Sequence, residues 1–266
     1  MTEPVTDAKQ RWDAYFWEPG GDVLRNKLDL HNSFDLRIAE YRLRAMRQGE
    51  LDRGEVDIPR TFDSAHVQAI HRHLLQDVYD WAGEFRNVGI SKNDQAFVSH
   101  DQVDELVDKI GEKLIRSQDW SAMNRQEFVE NIAKVYAFQN MAHPFREGNG
   151  ASSKVYLAHV AALSPYKLDF DRVDKWEWNQ AAQSSYPAEP EKDPAPDPSK
   201  MYAVFDKLTV EREPAAVTEP DLLKSIELQN TTYTSAQPSG TGMGERPETH
   251  AVAGQEAGQD HGRGAG

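Results

Sequence analysis

The spacing of apolar residues predicts a mainly helical fold. From about residue 15 to about residue 210, apolar side chains recur every three or four positions in one segment after another, as on the buried face of a helix. Ser33 is expected to cap the first of these helices and Gly83 to end the second. The predicted helices cover residues 33–51, 64–83, 101–115, 125–143, 151–163, 173–185 and 198–210.

Two of these helices meet at a short polar segment. The first places Phe128, Ile132, Val135, Tyr136 and Gln139 on one face. It then reaches Pro144, which lacks a backbone donor and disfavours helical geometry at His143. The second is apolar on nearly all sides over residues 155–163, where only His159 is strongly polar. Such a helix is typical of the centre of a core. We therefore expect residues 143–150 to lead into a central, buried helix.

The remaining segments depart from the helical pattern. Residues 85–98 alternate briefly around a turn-like Ser-Lys-Asn-Asp, which predicts a short β-hairpin. Residues 215–266 are rich in Gly, Pro, Ala, Thr, Gln and acids, a composition that buries too little apolar surface to offset the entropy lost on ordering. We expect this acidic, Gly/Pro-rich tail to be disordered and residues 1–14 to be flexible. One domain is expected between them, over residues 15–214.

Amino-acid composition and net charge limit the classes of binding partner, metal site and location that we expect. The chain has 30 Lys and Arg against 44 Asp and Glu, a formal net charge of −14 that disfavours nonspecific binding to nucleic acid or anionic lipid. It has no cysteine, so disulfides and thiolate metal sites are excluded. No apolar run approaches the roughly 20 residues of a membrane helix. We expect neither a nucleic-acid nor a membrane partner, and a cytoplasmic location, with delivery into another cell as an alternative.

The polar segment combines groups that suit phosphate chemistry. Gly148 and Gly150 permit close approach by a ligand and stand at the start of a helix, whose first amides attract anions. Asn149 adds a side-chain amide, and Glu147 suits a hard cation such as Mg²⁺. His143 is a candidate general base, since an ordinary imidazole is mostly neutral near pH 7. The set favours phosphoryl or nucleotidyl transfer.

Each of these residues also has a purely structural interpretation. A histidine at a helix end is often a cap or hydrogen-bond partner, and Gly-Asn-Gly is often only a turn. Their joint occurrence in one loop before a buried helix favours the chemical interpretation. The chain contains neither GxxxxGK[ST] nor a strand-borne GxGxxG, so a P-loop and a dinucleotide fold are not competing assignments.

The segment HPFREGNG resembles the signature of the Fic family, His-x-Phe-x-(Asp/Glu)-Gly-Asn-Gly-Arg-x-x-Arg. The resemblance extends over roughly residues 15–210 and includes HLLQDVYDWAGEFRNVGISK before the hairpin. It implies a mainly α Fic fold, a helical bundle around a central buried helix with a short β-hairpin flap. It also implies a protein adenylyltransferase that moves AMP from ATP to a Ser, Thr or Tyr hydroxyl of a target protein. Six defined positions match at the fixed spacing: His143, Phe145, Glu147, Gly148, Asn149 and Gly150.

The resemblance implies a role for each of these motif residues. His143 would be the catalytic base that deprotonates the target hydroxyl. Glu147 would hold Mg²⁺ between the α- and β-phosphates of ATP. Gly148, Asn149 and Gly150 would bind the nucleotide as an anion hole, and the inward-packed phenylalanine of the motif would anchor the loop.

The predicted hairpin corresponds to the flap of the family. By resemblance, Ser91, Lys92 and Asn93 border the nucleotide, and the flap aligns a segment of the target protein by strand addition. Without the resemblance, Lys92 is more simply a solvated lysine in a turn.

The chain departs from the family pattern where two arginines are expected, because it has Ala151 and Lys154. In the family these arginines contact the β- and γ-phosphates. Lys154 still binds phosphate as a point charge but lacks the bidentate fork, and Ser152 and Ser153 offer weaker hydroxyl donors. Four explanations are open: a slowed AMP transferase, another nucleotide donor, a domain that binds without catalysing, and a deliberate replacement.

Many Fic proteins carry an inhibitory helix with a Ser/Thr-x-x-x-Glu-Gly/Asn pattern. Residues 209–213 fit its first five positions and are followed by Pro214, while residues 241–245 fit them within the glycine-rich tail. Neither segment matches in full. By family analogy, a small antitoxin-like protein is a candidate partner that would supply the inhibitor.

Other histidines and tryptophans have mainly structural interpretations. We expect the three histidines of the second helix to pack or face solvent, the one in the central helix to be a satisfied core residue, and the two tryptophans of residues 173–185 to be core residues or to border the adenine. These residues are His66, His71, His73, His159, Trp176 and Trp178.

Overall fold

The structure is a computed structural model that describes residues 7–92, 95–187 and 194–213. Within these residues it contains eight α-helices and two small antiparallel sheets, which confirms the mainly α fold. The predicted tail at residues 215–266 and the candidate Asn93 lie outside the described residues. The helices are α1 Asp7–Asp13, α2 Ser33–Asp52, α3 Ser64–Leu75, α4 Val103–Ile110, α5 Arg125–Ala142, α6 Asn149–Ala161, α7 Lys175–Ser184 and α8 Tyr202–Leu208.

Helix α6 lies at the centre of the core, as its sequence predicts. It contacts α3, α5 and the strand β3 (Tyr166–Leu168). Its apolar side chains are buried along most of its length, including Val155, Leu157 and Val160. The loop before α6 is therefore attached directly to the hydrophobic core.

Helix α5 has well-defined ends. Asn124 and Glu127 form a capping box at its start, in which each side chain accepts from the backbone of the other residue. All five positions of its predicted apolar face are buried. The helix ends at His143, as Pro144 predicts.

Several predicted helix boundaries are wrong. The last predicted helix ends at Leu208 rather than at residue 210, because Thr209–Glu211 is a strand. Asn32, not Ser33, caps α2, because its side chain accepts hydrogen bonds from the amides of the first turn. Helix α3 ends at Leu75 rather than Gly83, because the chain continues in tight turns, with the N–H of Val78 bonded to Leu75 O at 3.0 Å. Val78 is nevertheless buried, so the apolar pattern indicated burial correctly but not helix length.

The predicted hairpin is present, with β1 (Ser91–Lys92) antiparallel to β2 (Gln95–Ala96). A second small sheet was not predicted from the sequence. It pairs β3 with β4 (Thr209–Glu211), which follows α8 directly. Strands of two or three residues are too short to show a periodic pattern, so distant pairing rather than local spacing determines them.

The N-terminal segment differs from the flexible stretch predicted over residues 1–14, because residues 7–13 form α1. Its Trp12 ring packs beside the guanidinium of Arg146, with a centroid distance of 4.6 Å. This contact is with a distant part of the chain and leaves no local signal. None of the helices in the described part of the chain is long and apolar enough to cross a membrane.

Candidate active site

The loop between α5 and α6 begins with a strained residue. His143 has a left-handed backbone, φ 38° and ψ 63°, and its N–H donates to Gln139 O at 3.1 Å. This conformation costs an L-residue about 1–2 kcal/mol. Surrounding contacts must hold it, and the loop provides them.

Asn149 fixes the shape of the loop. Its Oδ1 accepts from the N–H of Phe145 at 2.9 Å, and its Nδ2 donates to Phe145 O at 2.7 Å. Phe145 is fully buried, as an anchor of the loop should be. The side-chain amide of Asn149 is therefore used within the protein, and what remains for a ligand is its backbone N–H.

His71 supports the same loop from α3. Its Nδ1 accepts from the N–H of Gly83 at 2.8 Å, so its Nε2 carries the proton and donates to Glu147 O at 3.0 Å. Its ring stacks on Phe145 with a centroid distance of 3.7 Å. Burial lowers the pKa of His71 to about 4, which keeps this neutral tautomer in place.

Gly148 is required by both conformation and space. Its φ is 81°, and an added Cβ would lie 2.3 Å from Leu75 Cδ1 and 3.2 Å from His71 Nε2. A Cβ at Gly150, in contrast, would meet nothing within 4 Å. The fold therefore requires the first glycine, whereas the second leaves free space at the start of α6.

Arg86 joins the loop to the base of the flap. It is 2% exposed, and all four of its side-chain hydrogen bonds end on backbone carbonyl oxygens. Nε donates to His143 O at 2.8 Å and Nη1 to Val88 O at 2.8 Å. Nη2 donates to Val98 O and, at 3.2 Å, to Ala142 O. One guanidinium thus connects both stems of the flap to the end of α5.

The start of α6 offers free backbone donors. The N–H of Ser152 bonds to Gly148 O at 3.1 Å, and its hydroxyl donates to the same oxygen at 3.0 Å. The amides of Asn149, Gly150 and Ala151 precede this first intrahelical bond and therefore point out of the helix end. Together with the helix dipole, these amides are chemically suited to phosphate oxygens.

A cavity of about 290 Å³ lies in front of these amides. Its wall combines the end of α5, the start of α6, one side of α7 and the flap. The lining residues are Lys92, Gln95, Phe97, Tyr136, Gln139, Asn140, His143, Asn149, Gly150, Ser153, Trp178, Asn179, Ala182, Gln183 and Tyr186.

His143 lies in this wall in its neutral form. Phe97 stacks on its ring with a centroid distance of 3.9 Å. Burial lowers the pKa of His143 to about 3, and the charges of Lys92 and Arg86 act in the same direction. The ligand-free protein therefore holds an unprotonated imidazole beside the phosphate-binding amides.

The flap residues predicted from the sequence fall in different places. Lys92 is exposed and lines the cavity near His143. Ser91 is paired with Ala96 in the hairpin and does not line the cavity of the described chain. Among the tryptophans, Trp178 lines the cavity, whereas Trp176 is 72% exposed.

The two departures from the motif lie in the first two turns of α6, Ala151 in the first and Lys154 in the second. Ala151 is partly buried against the core and contributes no polar group. The Nζ of Lys154 lies 5.1 Å from the ring centroid of Phe170 and 5.9 Å from that of Trp178. Partial burial there lowers the pKa of Lys154. Within the described chain, the cavity wall includes Ser153 but not Lys154.

Glu147, the expected magnesium ligand, is not among the residues that line the cavity in the described part of the chain. Its side chain is exposed, and its Oε1 accepts from the N–H of Gly148 at 3.1 Å. No group of three or more acidic or histidine side chains in the described residues forms a complete metal site. One carboxylate completed by phosphate oxygens is an arrangement that Mg²⁺ commonly adopts.

Three residues of this site were not identified from the sequence as functional. Arg86 and His71 act through backbone carbonyls far away in the chain, so no local spacing reveals them. Gln139 was assigned to the apolar face of α5. The sequence feature that could have identified Gln139 as functional is its position as a polar residue on an otherwise apolar helix face.

Sequence comparisons connect this geometry with known proteins. The family model described as Fic/DOC family matches residues 61–161. A probable protein adenylyltransferase Fic of Escherichia coli (strain K12) is 31% identical over 172 residues, which span 65% of this chain and 84% of that protein. The protein adenylyltransferase VbhT of Bartonella schoenbuchensis is 32% identical over 171 residues, 64% of this chain and 35% of VbhT.

Solved structures with the same fold are Fic domains. The N-terminal Fic domain of a Bartonella effector protein from Bartonella sp. AR 15-3 has a TM-score of 0.65 at 23% identity, over 79% of this chain and 95% of that chain. BepC of Bartonella tribocorum, with bound AMPPNP, has a TM-score of 0.63 at 20% identity, over 78% of this chain and 100% of that chain. From its sequence relatives and its fold, this chain belongs to the Fic/DOC family.

Proposed function

We propose that this protein is a nucleotidyltransferase that moves AMP from ATP to a Ser, Thr or Tyr hydroxyl of another protein. One observation carries the proposal: a neutral, left-handed His143 and the open amides of α6 line the same cavity. The relatives named protein adenylyltransferases and the AMPPNP bound to BepC support this reaction and this donor.

The reaction needs one proton acceptor and one anion site. The target hydroxyl oxygen attacks the α-phosphorus, and its proton passes to the imidazole of His143. The bond from the α-phosphorus to the oxygen bridging the β-phosphate breaks, and pyrophosphate leaves. The amides of Asn149 and Gly150 are placed to stabilise the charge on the phosphate oxygens.

The low pKa of His143 is compatible with a general base once the charge of the bound nucleotide is taken into account. A pKa of about 3 ensures that the base is unprotonated before the nucleotide binds. A bound triphosphate brings negative charge next to the imidazole, which raises its pKa and favours proton transfer. The base is therefore neutral in the free protein and strengthened in the complex.

Glu147 would hold a Mg²⁺ ion together with the phosphates. When bound, the ion neutralises part of the phosphate charge. The exposed carboxylate beside Gly148 supports this assignment, because a hard cation prefers such oxygen ligands.

The flap is proposed to bind the target segment as an added strand. In the described residues its sheet contains only β1 and β2, so each strand keeps an unpaired edge. The flap ends beside the cavity, where Lys92 and Gln95 line the wall. A target strand at this edge would bring its hydroxyl close to His143.

A labelling assay tests the proposal. The protein is incubated with ATP labelled on the α-phosphate, Mg²⁺ and a cell lysate, beside a His143→Ala variant. We expect protein bands that depend on the wild-type chain and weaken about 10²- to 10⁴-fold in the variant, the usual contribution of a general base. Equal labelling by both, or none by either, would overturn the assignment to AMP transfer.

The two departures from the motif, in the first two turns of α6, favour two alternatives. Because Ala151 is apolar and Lys154 lies on aromatic rings, the outer phosphates have fewer contacts than the motif provides. A Fic enzyme with another donor would label from a different nucleotide triphosphate. A Fic domain that only binds would label from none, while calorimetry would still detect the nucleotide.

We also propose a small antitoxin-like partner and a site of action in a cytoplasm. The partial inhibitor pattern at residues 209–213 does not form a helix, since Thr209–Glu211 is strand β4. By resemblance to the family, in which the inhibitory glutamate pairs with the second motif arginine, an inhibitor from another chain would act at the corresponding Lys154. A candidate inhibitor that lowers labelling by the wild type but not by Lys154→Ala would support this, and equal inhibition of both would contradict it. Two of the structurally similar Fic proteins are effectors translocated by a VirB system, which supports delivery into another cell as an alternative.

A further inference from the structure

Gln139 has a buried oxygen without a partner. The residue is 3% exposed, and nothing among the described residues makes a hydrogen bond to its Oε1. A buried acceptor left unsatisfied costs about 1–3 kcal/mol. Proteins rarely keep such a group in the ligand-free state unless it serves a purpose.

The oxygen belongs to the wall of the proposed active site. Gln139 lines the cavity one helical turn before His143, on the same face of α5. Its backbone carbonyl accepts the N–H of His143 at 3.1 Å, so the two residues are firmly coupled. Its neighbours on the wall include Tyr136, Asn140 and Ser153.

We propose that Gln139 is a specificity-determining residue whose carboxamide oxygen accepts a hydrogen bond from a ribose hydroxyl of the bound nucleotide. The inference rests on the proposed function, because it takes the phosphates to lie at the amides of α6. The sugar is the part of a nucleotide attached to the α-phosphate. One turn of α5 is about 5.4 Å, so Gln139 is at the distance of the sugar rather than of the far edge of the base.

If Gln139 binds the ribose, replacing it should lower nucleotide affinity without lowering stability. A purely structural residue would not show this combination. Methionine has nearly the shape of glutamine but no carbonyl oxygen. In Gln139→Met, the ligand-free protein loses an unsatisfied acceptor, so its melting temperature stays equal or rises. The affinity for ATP falls about tenfold, because the hydroxyl loses its partner.

The experiment measures binding by calorimetry and melting by calorimetric scanning on the full chain with Mg²⁺. The ligands are ATP, 2′-deoxy-ATP, 3′-deoxy-ATP and inosine triphosphate. The wild type is expected to bind one of the two deoxynucleotides about tenfold more weakly than ATP, and Gln139→Met to bind that one as it binds ATP. The preference for ATP over inosine triphosphate is expected to be the same in both proteins.

Gln126→Met is a matched control. Gln126 lies in the first turn of α5, is exposed, and donates to Glu130 at 2.9 Å far from the cavity. The Gln126→Met substitution should change the affinity for each of the four nucleotides by less than twofold.

Several results would overturn the inference. A lower melting temperature of Gln139→Met would mark a structural residue, and unchanged ATP affinity would remove its role in binding. A change in the preference for ATP over inosine triphosphate alone would assign the oxygen to the base instead. If the wild type binds no nucleotide at all, the proposed function fails before the inference is reached, so the two failures are distinguishable.

Discussion

The loop from His143 to Gly148 and the first two turns of α6 are adjacent but differ in how firmly they are built. Asn149, His71 and Arg86 each fix the loop through hydrogen bonds to its backbone. The first two turns have an apolar Ala151 and a lysine over two aromatic rings. The loop's shape is therefore independent of the residues that would grip the outer phosphates. Chemistry and phosphate affinity can vary separately in such a site.

The largest expected effect comes from rebuilding the weaker region. Ala151→Arg with Lys154→Arg should raise the rate of AMP incorporation at low ATP roughly tenfold to a hundredfold, because each charged hydrogen bond contributes about 1.5–3 kcal/mol. Initial rates with labelled ATP measure this.

Ala158→Arg is the control for the rebuilt variant, since it adds an arginine on the exposed side of α6. An unchanged rate in the double variant would mean that the outer phosphates do not reach this turn. Labelling that appears only after rebuilding would mean that the native chain is a binding domain.

Alanine substitutions of Gly148 and Gly150 should separate the stability of the loop from nucleotide binding at the start of α6. Gly150→Ala should keep or slightly raise stability, since its Cβ meets open space and alanine favours helix. It should nevertheless weaken nucleotide binding about tenfold, because the added methyl group stands where the ligand must approach the amides. Gly148→Ala should instead destabilise the fold by about 2–4 kcal/mol, through its left-handed φ and the contact with Leu75.

Urea unfolding and calorimetry on both glycine variants separate the two effects. The interpretation fails if Gly150→Ala unfolds as readily as Gly148→Ala, or if it binds nucleotide like the wild type.

Replacing Arg86 tests how far the position of the loop depends on its connection to the flap. Arg86→Lys keeps the charge but loses the planar fork, so at least one carbonyl loses its donor. We expect lower thermal stability and a turnover reduced by up to roughly tenfold, because the position of His143 relaxes.

Arg212→Lys serves as the matched control for Arg86, because Arg212 Nε donates to Tyr166 O at 2.9 Å away from the cavity. A similar loss of turnover in both variants would show that general destabilisation, not positioning, is responsible.

The smallest expected effect is an absence of pH dependence. Since the pKa of His143 is lowered to about 3, kcat/KM should not decline on an imidazole titration between pH 8 and 6. An acid limb near pH 6.5 in a folded sample would contradict this.

Stability should nevertheless depend on pH. Burial lowers the pKa of His66, His71 and His159 to about 4, against an ordinary value of 6.5. Below pH 6.5 the unfolded chain takes up protons that the folded chain does not. The free energy of unfolding is therefore complete above pH 6.5 and falls as the pH drops towards 4. Urea unfolding across this range measures it.

The sequence predicted the local parts of this molecule better than the distant ones. The helices on either side of the motif follow from apolar spacing and from Pro144, and the motif indicated the family. Helix α1, the β3–β4 pair and Arg86 depend on contacts between remote segments, which no spacing records. Asn149 shows a further limit: its residue type predicts donors, but only the structure shows that both ends of its amide already bond to Phe145.

Arg86 also gives the site a charge that its own partners do not cancel. Carbonyl oxygens solvate a guanidinium without neutralising it, and the chain as a whole carries −14. An approaching polyanion is thus repelled from afar and attracted only within the last several ångströms. Dissolved ions screen the distant field more than the near one. Moderate salt should consequently speed the encounter with a nucleotide while leaving its residence time nearly unchanged, unlike the response of a basic binding surface.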